Sequence, residues 1–402
     1  MSFRYIGARI SATPPTVTPP SGGEGGSASG AWSLGTVIGY EATSGWPRPL
    51  ILKELWTWGD NSYGQLGLGN TTYKSSPNQV GSLTTWSTIA GGATFIAATK
   101  TDGTLWTWGR NTQGQLGLGN TTYYSSPKQV GALTTWLAIA GGVYHTISVK
   151  TDGTLWTWGL NTQGQLGLGN TTNYSSPKQV GALTTWLTIA GGVYHTISVK
   201  TDGTLWTWGY NNLGQLGLGN TTNYSSPKQV GSLTTWLKIA AGNYHTISVK
   251  TDGTLWSWGR NTYGQLGLGN TTNYSSPKQV GALTTWSAIA GGSSHTISVK
   301  TDGTLWTWGR NSNGQLGLGN TTYYSSPKQV GSLTTWSTVA AGRFHTISVK
   351  TDGTLWTWGS NNRGQLGLGN TTNYSSPKQV GSLTTWLKIA GGGYFTIALK
   401  SS

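Results

Sequence analysis

One unit of 50 residues is repeated seven times along this chain of 402 residues, and this period constrains the fold more than any other feature. The run Leu-Trp-Thr-Trp-Gly begins at Leu55 and returns at the same interval until Leu355, with only one Thr-to-Ser change, at Ser257. No unit contains an insertion or a deletion. A unit this short buries its apolar residues only by stacking against its neighbours, so the period predicts a repeat architecture.

The local pattern of each unit predicts β-strands. Apolar and polar residues alternate over residues 105–108 and 145–150, which is the period of two that half-buried strands show. Between such strands lies Thr-Asp-Gly-Thr, as at residues 151–154, and Asp-Gly is typical of a tight hairpin turn. A third short strand is predicted around residues 139–140 and an edge strand around residues 128–130, after a proline. Four short strands in about 50 residues are typical of one propeller blade.

The two ends of the repeat array predict how the ring closes. The array begins with a strand at residues 55–58 and ends with a strand at residues 395–400. These are the two arms of a hairpin that is covalently joined in the six other places. We therefore expect the N-terminal and C-terminal strands to pair within one shared blade, which removes open sheet edges.

The repeat resembles a known family. The run Trp-Gly-x-Asn-x-x-Gly-Gln-Leu-Gly at residues 108–117 and the strand His-Thr-Ile-Ser-Val at residues 145–149 are similar to the RCC1 repeat, named for regulator of chromosome condensation. The resemblance implies an all-β, seven-bladed β-propeller with the same offset between sequence repeat and blade. We expect this propeller over residues 51–402, preceded by a leader or attachment segment at residues 1–50.

The leader has a different composition from the repeats. Two Pro-Pro pairs within residues 14–20 and the Gly/Ser-rich residues 21–30 are typical of a flexible linker. Residues 14–20 and 29–47 resemble pieces of structural proteins of tailed phages. This resemblance implies an assembly segment through which residues 1–50 contact other virion proteins.

The residue combinations that enzymes use are mostly absent. The chain has no cysteine, and its five histidines occupy one equivalent position in five units. No paired carboxylates, nucleophile–base arrangement or metal-ligand spacing is present. We therefore predict no enzyme activity, no catalytic residue, no metal and no cofactor. No run reaches the roughly 18–20 apolar residues that span a bilayer, so we expect no membrane insertion.

Positive charge recurs with the repeat. The chain has a net charge of +15, and one lysine occupies the same position in six units, with Asn78 in its place in the first unit: Lys128, Lys178, Lys228, Lys278, Lys328 and Lys378. Such a basic ring is a candidate for contact with phosphates or an acidic surface. The alternative is a solvated rim that keeps the protein soluble.

The seven units differ mainly in two clusters, one after the Trp-Gly pair and one before the strand that begins with His. The two strands run in opposite directions between the Asp-Gly turn and these clusters, so both clusters are expected opposite that turn, on one face of the ring. Loops on a rigid scaffold commonly bind partners, and Tyr and Arg dominate binding energy. The candidate binding face is therefore Asp60, Tyr63, Arg110, Gln113, Tyr144, Tyr194, Tyr210, Tyr244, Arg260, Tyr263, Arg310, Asn313, Arg343, Arg363 and Tyr394. Neutral drift after recent duplication is the alternative explanation, and a lesser variable patch at residues 87–88, 137–138 and 237–238 does not clearly share that face.

These features indicate a non-enzymatic binding or structural module. The main interpretation is a phage virion protein of the tail, fibre or decoration type, whose propeller face contacts a host-surface glycan or protein. Its location is then the virion, and otherwise the cytoplasm as a soluble protein. One alternative is an RCC1-like regulator of a small GTPase, although the strict period leaves no protruding insertion. Another is a basic propeller that binds nucleic acid or chromatin, and a homo-oligomer is compatible with each.

Overall fold

The computed structural model describes Tyr40–Glu41, Arg48–Pro49 and residues 52–402. The first two segments are short strands that pair antiparallel. Residues 53–401 form one compact unit, a ring of β-sheets. The linker and the phage-like segments predicted within residues 1–50 lie outside the described residues, apart from those two strands.

The ring contains seven antiparallel sheets of four strands, and each sheet is one blade. From blade 1 to blade 7, the inner strands are Trp86–Gly91, Trp136–Gly141, Trp186–Gly191, Trp236–Ala241, Trp286–Gly291, Trp336–Ala341 and Trp386–Gly391. The second strands are Phe95–Lys100, His145–Lys150, His195–Lys200, His245–Lys250, His295–Lys300, His345–Lys350 and Phe395–Ser401. The third strands are Leu105–Gly109, Leu155–Gly159, Leu205–Gly209, Leu255–Gly259, Leu305–Gly309, Leu355–Gly359 and Lys53–Gly59. The outer strands are Tyr124–Gln129, Tyr174–Gln179, Tyr224–Gln229, Tyr274–Gln279, Tyr324–Gln329, Tyr374–Gln379 and Lys74–Gln79. Each inner strand contacts the inner strands of the two adjacent blades, so these strands surround the axis. The predicted seven-bladed propeller is confirmed.

A hydrogen-bonded turn joins the second and third strands. The Asp152 carboxylate accepts hydrogen bonds from Thr154 N at 2.9 Å and Thr154 Oγ1 at 2.6 Å. These bonds lower the pKa of Asp152. Thr154 Oγ1 in turn accepts a bond from Trp156 Nε1 at 2.9 Å, and Gly153 has a φ of 75°. The Thr-Asp-Gly-Thr sequence therefore fixes both the turn and the first tryptophan of the next strand.

Tryptophans form the apolar layer between blades. Trp158 is fully buried, and its ring lies 5.9 Å from that of Trp136 in the same blade. Both pack against Leu105 and Val130 of the preceding blade. Trp158 Nε1 also donates a hydrogen bond of 3.0 Å to Gln115 O, in the loop of that preceding blade. Each blade thus presents two large aromatic rings to one neighbour.

Histidine and threonine link neighbouring blades inside the ring. His145 is fully buried, and its Nε2 lies 3.0 Å from Thr196 Oγ1 in the next blade. Because Thr196 Oγ1 donates its own proton to Gln165 O at 2.7 Å, we assign the histidine proton to Nε2. His145 Nδ1 is then unprotonated and has no partner. Desolvation, followed by the nearby His195, lowers the pKa of His145 to about 3.

The closing blade combines the two ends of the repeat array. Lys53–Gly59 pairs with Phe395–Ser401 along its whole length, as the sequence predicts. This blade has no Asp-Gly turn. Instead, Glu54 forms an ion pair of 3.1 Å with Lys400 and accepts a hydrogen bond of 3.0 Å from Trp56 Nε1. Glu54 thus replaces the turn threonine as the acceptor for the tryptophan.

The closing interface also replaces the polar histidine–threonine pair with an apolar pair. Phe395 stands where five other units have histidine, and Ile96 stands where the partner threonine would lie. Both are fully buried in one apolar cluster. Replacing only one member of the pair would leave a buried hydroxyl or imidazole nitrogen without its partner, which costs free energy. Both members are apolar at this interface, so neither is left unpaired.

Because the last strand closes the ring, removing it should affect stability far more than changing a single side chain beside it. Deletion of residues 395–402 should prevent formation of a stable soluble ring, because it leaves the inner strand Trp386–Gly391 without a partner and opens one edge of Lys53–Gly59. The Glu54→Gln variant keeps an acceptor for Trp56 and loses only a partly exposed ion pair, which is worth about 1 kcal/mol or less. Thermal unfolding by circular dichroism checks both. A deleted chain that unfolds cooperatively at the parent temperature would contradict this account.

The buried histidines predict a loss of stability in mild acid. Each is neutral in the folded protein with a pKa of about 3, whereas the ordinary pKa of a histidine is 6.5. Between those values the unfolded chain binds more protons, so the free energy of unfolding falls as pH decreases from 6.5 towards 3. Each histidine contributes up to about 1.4 kcal/mol per pH unit.

Urea unfolding between pH 4.5 and 7.5 measures this slope. The control variant combines His145→Phe with Thr196→Ile, which reproduces the pair found at residues 395 and 96. It should lose about one fifth of the slope between pH 4.5 and 6.5, because one of five equivalent groups is removed. A flat profile in the parent protein would show that the histidines are not held neutral.

Candidate binding face around the central cavity

The ring opens into a cavity of about 820 Å³ at the ends of the inner strands. The loops around it lie opposite the Asp-Gly turns. In blade 2, for example, Leu160 N donates a hydrogen bond of 2.9 Å to Tyr144 O, at the end of the hairpin remote from residues 152–153. The two variable clusters therefore meet on one face of the ring, as expected from strand direction.

Glycine backbone forms part of the cavity wall. Gly142 lines the cavity, and a Cβ atom at this position would clash with the His145 ring. Neighbouring blades are joined here by backbone hydrogen bonds, such as Val143 N to Gly192 O at 3.1 Å and Gly393 N to Ala93 O at 2.9 Å. The side chains that lead into the cavity are thus held on a rigid backbone collar.

The cavity brings together twelve of the fifteen residues predicted for the binding face: Asp60, Tyr63, Arg110, Tyr144, Tyr194, Tyr244, Arg260, Tyr263, Arg310, Arg343, Arg363 and Tyr394. Tyr210 lies beside them, with its ring 6.2 Å from Tyr194 and 6.1 Å from Tyr244. Gln113 and Asn313 do not line the cavity. Gln113 Oε1 instead accepts a hydrogen bond of 2.9 Å from Asn173 of the next blade.

The cavity has an excess of positive charge. It is lined by five arginines and one acidic residue, Asp60, which is only 8% exposed. The Asp60 carboxylate accepts hydrogen bonds from Ser62 N and Ser62 Oγ at 3.1 and 2.6 Å. Within residues 52–402, the single ion pair is that of Lys400 with Glu54, so none of the five arginines forms an ion pair with a carboxylate in this part of the chain. A concave site lined by one sign of charge attracts ligands of the opposite sign.

Aromatic rings hold the arginines of the cavity in place. The Arg260 guanidinium lies 6.0 Å from the ring of Tyr244 and 5.6 Å from that of Tyr263. The Arg310 guanidinium lies 5.3 Å from both Tyr263 and Phe344. Cation–π contacts of this kind restrict the side chains while leaving polar hydrogens free for a ligand.

A third variable position was missed in the sequence. The residue after Asn-Thr-Thr is tyrosine in three units and asparagine in four, and this difference was the available signal. Tyr123 packs edge-on against Tyr63 of the preceding unit at 5.6 Å, and Tyr323 packs in the same way on Tyr263. At the closing interface, Arg363 Nη1 donates a hydrogen bond of 3.1 Å to Tyr73 Oη.

Variation at this third position is matched across blades. At two of the four asparagines, Asn173 and Asn223, the amide donates to a glutamine of the preceding unit, Gln113 or Gln163, at 2.9 Å. Where it is tyrosine, the partner is Tyr63, Tyr263 or Arg363, as described above. Part of the variation near the binding face therefore serves contacts between blades.

The predicted basic ring lies on the outer strands of blades 1 to 6, one lysine in each, away from the cavity. Lys128 is exposed, with its Nζ 5.5 Å from the ring of Tyr124, and the other five lysines adopt the same arrangement at 5.3–5.5 Å. Each follows a proline in a strand with one unpaired edge. Proline and lysine on edge strands prevent pairing with other sheets, which explains this ring without a ligand.

The lesser variable patch lies at the other end of the inner strands. A second cavity of about 260 Å³ there is lined by Thr88, Ile89, Thr338, Val339, Leu387, Lys388 and Ile389. Lys388 Nζ donates a hydrogen bond of 2.9 Å to Ser87 O. Desolvation, followed by repulsion from Lys53, lowers the pKa of Lys388. The variable positions thus lie near both mouths of the ring, and only one mouth is arginine-rich.

Among the described residues, no three or more His, Asp or Glu side chains gather in a way that could hold a metal ion. The described residues also contain no helix that is long and apolar enough to cross a membrane.

The repeat matches a family model at every unit. The model described as "Regulator of chromosome condensation (RCC1) repeat" matches seven times, over residues 54–99, 102–149, 152–199, 202–249, 252–299, 302–349 and 352–399. A second model of the same repeat matches six times between residues 86 and 365. A search of curated proteins found no match.

Solved structures with similar folds include human WBSCR16, with 22% identity and a TM-score of 0.78 over 87% of this chain and 99% of that chain. Prp20p from Saccharomyces cerevisiae has 21% identity and a TM-score of 0.80 over 87% of this chain and 92% of that one. Yeast RCC1 (Prp20) bound to Kap60 has 20% identity and a TM-score of 0.79 over 87% of this chain and 89% of that one. These similarities show the fold. Because matches to the repeat model run from residue 54 to residue 399, this chain belongs to the RCC1 repeat family.

Proposed function

We propose that this protein is a non-enzymatic binding module that captures an anionic partner on its arginine-rich cavity face. The observation that carries this proposal is the set of five arginines around one cavity, with no ion-pair partner within residues 52–402. A rigid scaffold makes such a charge arrangement effective, because little side-chain ordering is needed when the partner binds.

Family membership supports a partner-binding role of the RCC1 type better than the phage virion interpretation. The structure of Prp20p is described together with its binding properties to Gsp1p and histones. None of the three similar structures above is described as a virion protein. A host-surface ligand therefore has less support than a partner protein or nucleic acid.

Regulation of a small GTPase stays a second candidate, on the observation that the fold and the repeat are those of the RCC1 family. Every unit keeps the 50-residue spacing. A regulatory role of this chain therefore has to use the existing loops of the cavity face, since no blade carries an inserted element. Nucleic-acid binding is distinguished by a steep decrease of affinity with salt.

Two triple variants with the same change in net charge test the proposed site. The first changes Arg260, Arg310 and Arg343 to Ala, and the second changes Lys128, Lys178 and Lys228 to Ala. We expect the arginine variant to bind fluorescein-labelled polyglutamate at least about 100-fold more weakly, because charge-assisted hydrogen bonds are lost. The lysine variant should change the affinity by less than about threefold, since exposed charges at a distance are screened.

Fluorescence anisotropy at 0.15 M salt measures these affinities, with labelled oligothymidylate and heparin as further probes. Equal weakening by both variants would show that net charge alone, and not the cavity, attracts anions. Failure of the parent protein to bind any of the three probes would overturn the proposal.

A further inference from the structure

The cavity is not sevenfold symmetric in its chemistry. Three successive blades, 4, 5 and 6, contribute four arginines to its wall: Arg260, Arg310, Arg343 and Arg363. Blades 2 and 3 contribute no charged residue. Their side chains at the wall are Val143, Tyr144, Val193 and Tyr194. The same scaffold positions therefore form a charged arc on one side and a largely apolar arc on another. Arg110 of blade 1 borders the apolar arc, with its guanidinium 5.7 Å from the ring of Tyr144.

The charged arc has free hydrogen-bond donors. Arg260 Nε donates to Thr262 Oγ1 at 3.2 Å, and Arg310 Nε donates to Ser312 Oγ at 3.0 Å. These contacts occupy one nitrogen of each guanidinium and hold it to its own loop. Within residues 52–402, the Nη atoms of these two arginines make no hydrogen bond. Two Nη groups on a planar guanidinium suit the two oxygens of a carboxylate.

The apolar arc is partly removed from water. Val193 is only 6% exposed, so most of the surface that this arc offers a ligand belongs to the half-buried Val143, Tyr144 and Tyr194. Desolvation, followed by the neighbouring Tyr144 and Tyr210, raises the pKa of Tyr194. The rings of Tyr194, Tyr210 and Tyr244 form an edge-to-face series that leads from this arc to the charged one. Apolar and aromatic groups on a ligand would be stabilised on this side.

From this polarity we propose that the cavity binds a short acidic peptide segment of a partner protein in one orientation. Its carboxylates face the arginines of blades 4 to 6, and its apolar side chains face the valines and tyrosines of blades 2 and 3. This inference rests on the proposed function and specifies its partner. The volume of about 820 Å³ lies within the roughly 300–1,000 Å³ of single-ligand sites, so a segment and not a folded domain enters it.

The division into two arcs favours a peptide over a nucleic acid. A nucleic-acid strand has a phosphate at every nucleotide, and proteins that bind it combine positive charge with stacking rings along the whole strand. Blades 2 and 3 contribute no charged residue to the wall, so such a strand has fewer phosphate contacts there than along blades 4 to 6. A peptide can place its carboxylates at one end and its apolar side chains at the other, which fits both arcs at once.

Four probes, each with a fluorescein label, test this inference on the full chain by fluorescence anisotropy at 0.15 M salt. The first is the peptide Glu-Glu-Glu-Glu-Gly-Leu-Phe, the second has the same composition with Leu and Phe placed between the glutamates, the third is heptaglutamate, and the fourth is oligothymidylate. We expect the first peptide to bind about tenfold more tightly than each of the others, because it alone matches both arcs.

A pair of double variants locates the apolar contact. Val143→Ser with Val193→Ser introduces the residue that Ser293 supplies at the same position, so the backbone accommodates it. The control, Leu137→Ser with Leu187→Ser, changes the same two blades at the opposite mouth, where other units also have serine. The valine variant should bind the first peptide about tenfold more weakly and heptaglutamate unchanged, and the control should bind both as the parent does.

The outcomes separate this inference from the proposed function. If the acidic probes bind in an arginine-dependent way but with equal affinity, or if the valine and leucine variants do not differ, the oriented peptide is ruled out while the anion-binding face stands. Preference for oligothymidylate with a steep salt dependence would assign the face to nucleic acid and likewise overturn the inference. Binding of none of the probes would overturn both.

Discussion

The contact between one blade and the next supports the rest of this structure. A buried tryptophan such as Trp158 packs on the preceding blade and donates its Nε1 hydrogen to Gln115 O of that blade. Deeper in the ring, His145 donates to Thr196 of the following blade. These contacts bury a large apolar area between neighbouring blades, so each blade is stabilised by the next. The indole donor is paired in this way at five of the seven interfaces, by Trp108, Trp158, Trp208, Trp258 and Trp308.

The same contacts explain which residues are free to vary. Positions such as Trp158 and Gln115 contact a neighbouring blade, and this contact limits which residues can occupy them. The loop residues at the cavity have fewer such contacts, so their side chains can differ from blade to blade. Variation between blades is coupled, as in the exchange of Gln113 and Asn173 for Tyr63 and Tyr123. The cavity residues themselves depart from sevenfold symmetry, and it is this departure that gives the face a charged and an uncharged side.

Positive charge has two roles in this ring. Lysines such as Lys128 lie on the outer strands, where a charge next to a proline protects an unpaired edge. Arginines such as Arg310 lie at the cavity, where aromatic rings order the guanidinium. The lysine recurs at one position of the repeat but lies on a separate outer strand in each blade. The arginines occupy different positions of the repeat, and they line one cavity.

The sequence by itself determined the number of blades, the presence of four strands in each blade and the closure by the terminal strands, because period, alternation and the Asp-Gly turn are local properties. It placed the edge strand only around residues 128–130, whereas that strand is Tyr124–Gln129 and includes the proline. It also placed both variable clusters on one face, since strand direction follows from the hairpin. Only the tertiary structure decided that Arg260, Arg310 and Arg343 share one cavity, that Gln113 contacts the next blade, and that Tyr123 contacts the preceding unit. Those facts depend on the curvature of the ring and on contacts between residues as many as 60 positions apart, which a local pattern does not contain.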